Sequence, residues 1–423
     1  MNLKIKLSVL NFLEFAIWGA YLISMGSYLV SINLGNVIAY FYSVQGFVCI
    51  FMPALMGIVA DKWIPAQKVL SLCQFIGGVF MCAACAYCYM NAGNVSFSTL
   101  FTLYTISVAF FMPTIALTNS VAFNALEKAG MDTVKDFPPI RVFGTVGFIV
   151  SMLAVDWCGL QAKPDQFAVS GVISIVMAIY ALAMPKCPIK KNGENKSLME
   201  ALGLKAFALF KERKMAIFFI FSMLLGAALQ VTNSYANPYI SSFGANPKFA
   251  DTFGVQHANT LISLSQLSET LCILLIPFFM KRFGIKVVML IAMFAWMLRF
   301  GFFAIGDPGF PGVLLLVLSM IVYGVAFDFF NVSGFLFVDQ TTGADIRSSA
   351  QGLFMLMTNG LGASIGLLVA GEVVNAYTHD ELINGVMYKV GDWTTCWTIF
   401  SAYALVVAVL FFFLFKYKKE LRS

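Results

Sequence analysis

Charge is what this chain has least of. Asp, Glu, Lys and Arg make up 11% of its 423 residues, against about 25% in soluble domains, which excludes an ordinary soluble fold. Histidine is scarcer still: His257 and His379 are the only two, and neither has a metal-like partner near it in sequence. No H-E-x-x-H or G-x-S-x-G motif is present, so nothing points to an enzyme, a metal or a cofactor. A cleavable signal peptide is missing too. Lys4 and Lys6 precede an apolar run long enough to span a membrane, without a small-residue cleavage site, and the run reads as a retained first helix. The nine cysteines lie mostly inside apolar runs. Cys82, Cys85 and Cys88 lack a fourth nearby ligand and read as packing residues. The net charge of +6 is no nucleic-acid signal, because the cations sit in short loops beside apolar stretches.

What the chain does have is hydrophobic length, at 60% apolar residues. A membrane span needs about 20. Twelve runs qualify, near 6–30, 37–60, 68–90, 97–123, 138–160, 166–185, 215–241, 256–280, 286–306, 311–337, 348–375 and 392–415. These predict an all-α membrane protein of twelve transmembrane helices, here called spans 1 to 12. Lys and Arg crowd the two termini and the even-numbered loops. The odd-numbered loops hold only Lys163, Lys248 and Lys389. That bias places both termini in the cytoplasm.

The longest polar stretch, 186–214, carries Pro188, Gly193 and a lysine cluster. It divides the chain into a six-helix bundle at 1–185, a cytoplasmic linker, and a second six-helix bundle at 215–423. This resembles the layout of the major facilitator superfamily, whose halves are parallel repeats with a substrate site between them at mid-depth. A matching sign sits at equivalent loops. Gly57-Ile-Val-Ala-Asp61-Lys62 resembles that superfamily's G-x-x-x-D-[RK] motif, and Met280-Lys281-Arg282-Phe283-Gly284-Ile285-Lys286 looks like a worn copy. The motif implies a gating latch, with Asp61 and Lys62 engaging and releasing helix ends on the cytoplasmic side.

Five charges stand inside the runs: Glu14, Arg141, Glu269, Arg299 and Asp328. Each costs roughly 2.5–3.5 kcal/mol on insertion scales, so they are expected to face a polar chamber. Arg141, Thr145 and Phe148 share one face of span 5 by their i, i+4, i+7 spacing. Gln230 and Asn233 pair at i, i+3 on span 7, as do Gln266 and Glu269 on span 8. Tyr323, Phe327, Asp328 and Asn331 share a broad face of span 10. Amides and carboxylates bind hydroxyls and ring edges, and phenylalanines offer flat faces to a planar ring. Such a set serves a nucleoside and a plain sugar alike. The amides serve equally as interhelical glue, at about 0.6 kcal/mol each. Arg299, in a span that is peripheral in this architecture, reads as a snorkelling or structural residue.

Three stretches carry a closer resemblance: Asp136-Phe-Pro-Pro-Ile-Arg141-Val-Phe-Gly-Thr145, Ala216–Gly226 and Leu318–Asn331. They are similar to the nucleoside:proton symporter family of the major facilitator superfamily, and the similarity runs over nearly the whole chain. The resemblance implies proton-driven nucleoside uptake by a monomer in the bacterial inner membrane. It implies a ligand held by Arg141, Thr145, Phe148, Gln230, Asn233, Gln266, Glu269, Tyr323, Phe327 and Asp328. Asp328 and Glu269 are the candidates for proton coupling. Glu14, where the family leads one to expect a neutral glutamine, is a third. Rivals within the carrier class are a sugar carrier and a xanthosine-selective one. A receptor that binds without transport is the rival outside it.

Overall fold

The computed structural model describes residues 2–188, 204–343 and 346–417. Much of the expected linker, with Lys190, Lys191 and Lys196, therefore lies outside the described residues. The chain divides into two compact units, Met1–Ala201 and Leu202–Ser423, with the boundary inside the stretch read as linker.

Ten helices among the described residues are long and apolar enough to cross a membrane. One of them, Ala258–Ile305, runs through both spans 8 and 9. It turns at Gly284, whose φ of 76° lies where only glycine rests without strain. The tenfold count thus hides an eleventh span. The twelfth is the first in sequence, and it is broken into Leu3–Gly19 and Met25–Ser31. An unbroken run was expected here. A break exposes backbone groups that lipid cannot satisfy, and side chains from neighbouring elements take them up. Tyr42 donates its hydroxyl to the Leu22 carbonyl at 2.5 Å and accepts from the Gly26 amide at 3.2 Å. Ser24 donates to Gln166 Oε1 at 3.0 Å.

In unit 1 the spans follow as Ile38–Lys62, Ala66–Met90, Phe97–Lys128, Thr133–Trp157 and Asp165–Leu182. Unit 2 begins with a 3₁₀ helix, Leu204–Lys211, and continues through Arg213–Ser242, Ala258–Ile305 and Val313–Thr341. Span 11 is composite: Arg347–Met355, a π-helical turn Leu356–Gly362, then Ala363–Tyr377. Span 12 is Trp393–Leu414. Lys286, from the worn second motif, donates to the Phe412 carbonyl at 2.9 Å. A cation at this helix C-terminus matches the orphan carbonyls and the dipole.

Between spans 11 and 12 lies a feature the sequence reading did not anticipate. Strands β1 (Thr378–Ile383) and β2 (Val386–Gly391) pair antiparallel, with Asp380 opposite Lys389. Asn384 and Gly385 make the turn at φ 52° and 81°, the positive-φ pair a two-residue hairpin requires.

Candidate functional site

Each unit carries part of the expected site. In unit 1 the helix of span 5 presents Arg141 and Thr145, both half-buried, and buried Phe148. The Arg141 guanidinium lies 3.9 Å from the centroid of the Phe15 ring, a cation–π contact that fixes its height along span 1. At the entrance to the same helix, Lys4 pairs with Asp136 at 2.6 Å.

Glu14, one residue before Phe15, is 1% exposed. Its carboxylate is ringed by neutral donors from two other spans. Gln74 Nε2 donates to Oε2 at 2.8 Å, Thr118 to the same oxygen at 3.0 Å, and Thr114 stands 2.6 Å from Oε1. Ser174 on span 6 donates to Gln74 Oε1 at 2.6 Å. These partners of Glu14 all lie inside unit 1.

Unit 2 brings together most of its expected residues. Asn233 donates to Gln230 Oε1 at 3.4 Å, so the span 7 amides meet each other. Spans 8 and 10 are held together by Ser268, whose hydroxyl donates to the Ile321 carbonyl. That contact places Glu269 within electrostatic reach of Asp328 and Tyr323. Gln266 hydrogen-bonds Tyr323. Tyr323 and Phe327 stack nearly parallel, 5.8 Å apart with 7° between planes. Asp328 is 5% exposed, and its Oδ2 is buried with no hydrogen-bond partner among the described residues. A buried polar atom without a partner is costly, and a carboxylate oxygen in that state is a candidate place for a proton or a ligand group.

Arg299 does not snorkel. It is 2% exposed and donates through Nη1 to the Ser319 carbonyl at 2.8 Å and to Ser265 at 3.2 Å. Its guanidinium lies 4.6 Å from the Tyr323 ring centroid. It is therefore a tie between spans 8, 9 and 10 that backs the Tyr323–Phe327 stack. Of the expected latch, Lys62 is exposed, and the side chain of Asp61 lies outside the described residues.

Two features were missed in the sequence. The partners of Glu14 come from spans 3 and 4, at separations of 60 to 104 residues, which no local pattern signals. The π-helical turn also went unnoticed, although Thr358-Asn359-Gly360 is an unusual polar interruption in an apolar run.

A twelve-span chain in two six-span units, with a buried carboxylate, amides and stacked aromatics inside the second, defines a secondary carrier of the major facilitator fold. The crystal structure of the xylose transporter XylE from Escherichia coli shares that fold at 12% identity and a TM-score of 0.61, covering 98% of this chain and 100% of that one. The chain belongs to the nucleoside H+ symporter family, whose model matches residues 1–420. It is 47% identical to the nucleoside permease NupG of Escherichia coli, over 99% of this chain and 97% of that protein. It is also 47% identical to the xanthosine permease of Escherichia coli, with the same coverage. The crystal structure of nucleoside transporter NupG superposes with a TM-score of 0.89, at 47% identity, covering 99% of this chain and all of that one.

Proposed function

We propose that this protein carries nucleosides into the cell together with protons, by alternating access. It works as a monomer in the bacterial inner membrane, with both termini cytoplasmic as the loop cations require. Unit 1 contributes Arg141 as a donor, Thr145 as a hydroxyl and Phe148 as a face for the base. In unit 2, Phe327 offers a second face, backed by Tyr323. Gln230, Asn233, Gln266 and Glu269 bond ribose hydroxyls or base edges. Asp328, with Glu269 beside it, carries the proton. Asp61 and Lys62 latch the cytoplasmic ends. Glu14, fully engaged by its own unit, serves to hold the spans of unit 1 together.

One observation carries the proton assignment. The partnerless Oδ2 of Asp328 lies on the same helix as the stacked Tyr323–Phe327 pair. A proton or a ligand group on that oxygen removes the cost of burying it unpaired. Family membership supports the rest.

The test is uptake of labelled uridine into proteoliposomes under an inward proton gradient, with unlabelled adenosine, guanosine, xanthosine and ribose as competitors. Nucleosides should compete and ribose should not. Saturable uptake of labelled xanthosine with none of uridine would favour the second reading, a xanthosine-selective carrier, which the equal identity to the xanthosine permease supports. Uptake blocked by ribose but by no nucleoside would sink both.

A further inference from the structure

Span 11 contributes nothing to the site derived so far, yet it holds an irregular turn beside it. Leu356–Gly362 is wound as a π-helix, and single π turns inside membrane helices concentrate at functional positions. The turn is pressed against span 7. A Cβ on Gly226 would meet the Thr358 carbonyl at 2.1 Å, so glycine is required there. With spans 9 and 10 these elements line a partly open cavity of about 20 Å³, bordered among others by Phe327, Asn331, Thr358 and Asn359. That exceeds the roughly 10–15 Å³ one water needs.

The polar groups of this cavity are unequal. Thr358 spends its hydroxyl on the Phe354 carbonyl at 2.9 Å. Asn331 spends its amide nitrogen on the Phe327 carbonyl at 3.0 Å, leaving its oxygen. Among the described residues, Asn359 has only a 3.7 Å contact from its nitrogen to the Met355 sulfur, a weak acceptor. A half-buried carboxamide with nearly all its capacity unspent therefore stands beside the ring proposed to stack the base.

We infer that Asn359 reads the hydrogen-bonding edge of the nucleobase and sets selectivity among bases. The inference rests on the nucleoside reading above. A base lying on Phe327 presents its polar edge in its own plane, and a carboxamide meets such an edge with one donor and one acceptor. Adenine offers that complementary pair. A flipped amide meets the edge of uracil as well, which suits a carrier of several nucleosides.

A carboxylate at this position accepts only. It should therefore favour guanine, which presents two adjacent N–H donors. The experiment measures KM and maximal rate for adenosine and guanosine in proteoliposomes of wild type, Asn359→Ala and Asn359→Asp. The alanine variant should raise both KM values at least about fivefold with the maximal rate within about twofold. The aspartate variant should raise the guanosine-over-adenosine preference about tenfold. Equal changes for both substrates in the aspartate variant, or KM values within twofold of wild type in the alanine variant, overturn the inference. Should the aspartate variant fail to insert, the KM-against-rate split of the alanine variant decides alone. Wild-type protein with no saturable nucleoside uptake would instead sink the underlying reading, a different and separately visible failure.

Discussion

Glu14 and Asp328 invite comparison because the two units bury them almost equally, at 1% and 5% exposure, and equip them in opposite ways. Both oxygens of Glu14 are met by side chains from spans 3 and 4. Asp328 keeps one oxygen with no hydrogen-bond partner among the described residues, beside a second acid. Burial alone therefore does not separate the roles proposed for the two acids, which differ in their hydrogen bonds. A carboxylate with both oxygens engaged adds cohesion between helices. One with an orphan atom leaves a place for a proton or a ligand to be bound and released.

The sharpest way to break this contrast is Asp328→Asn in reconstituted carrier. A potential of 100 mV is worth roughly 2.3 kcal/mol per charge, on the order of fifty-fold in accumulation. The variant should lose that accumulation and retain exchange of labelled for unlabelled nucleoside. Undiminished pH-driven accumulation would remove Asp328 from the proton path.

Glu14→Gln should behave in the opposite sense. Thr114 has one hydroxyl proton and two acceptors at 2.6 Å, Glu14 Oε1 and the Phe111 carbonyl. A glutamine amide can donate to the Thr114 oxygen and free that proton for the carbonyl, while its own oxygen keeps Gln74 and Thr118. Proton-driven uptake and the melting temperature should therefore both survive. Glu14→Ala strands those donors, at about 1–3 kcal/mol for each buried group left unsatisfied, and should lower the melting temperature by several degrees. If Glu14→Gln instead abolished coupling without changing stability, the roles of the two acids would be exchanged.

The contrast also marks how far the sequence could be read. Span positions were legible because apolar length and the alternation of loop cations are local, strongly patterned signals. The candidate faces of spans 5, 8 and 10 rest on helical spacing. The break in span 1 was not legible, because Tyr42, which satisfies freed backbone groups, and Gln166, which accepts from the Ser24 hydroxyl, sit outside it. The hairpin carried a usable sign in Asn384-Gly385, overlooked because a twelve-helix frame leaves no place for strands. Glu14 was legible as a buried acid and illegible as a satisfied one, since its donors are set by tertiary packing.

Lys389 and Asp380 occupy middle ground between the two acids, as a buried charge matched by another charge. Their side chains are 1% and 7% exposed and stand 3.6 Å apart across the hairpin. Asn375 lies 3.4 Å from the ammonium. Removing one partner of a buried pair is worse than removing both. Lys389→Met should cost about 3 kcal/mol in thermal stability, and adding Asp380→Leu should restore most of it. A double variant no more stable than the single one would mean that the hairpin is held by its backbone ladder and by the Trp393 bond to the Lys389 carbonyl at 2.9 Å.

The smallest effect belongs to the acid at the other extreme, exposed and yet engaged. Asp392 caps span 12, accepting from the Thr395 amide at 2.9 Å and from its hydroxyl at 2.5 Å. The hydroxyl and then the amide of Thr395 hold its carboxyl below the usual carboxylate range. A depressed acid stabilises the fold at pH values above its ordinary range and loses that contribution as the pH falls through its lowered value. Wild type and Asp392→Ala should therefore differ in melting temperature at neutral pH and converge in acid, whereas Asp392→Asn should keep a weaker cap that ignores pH. A gap between wild type and alanine that stayed constant down to pH values below the carboxylate range would show that the cap acts through shape and not through charge.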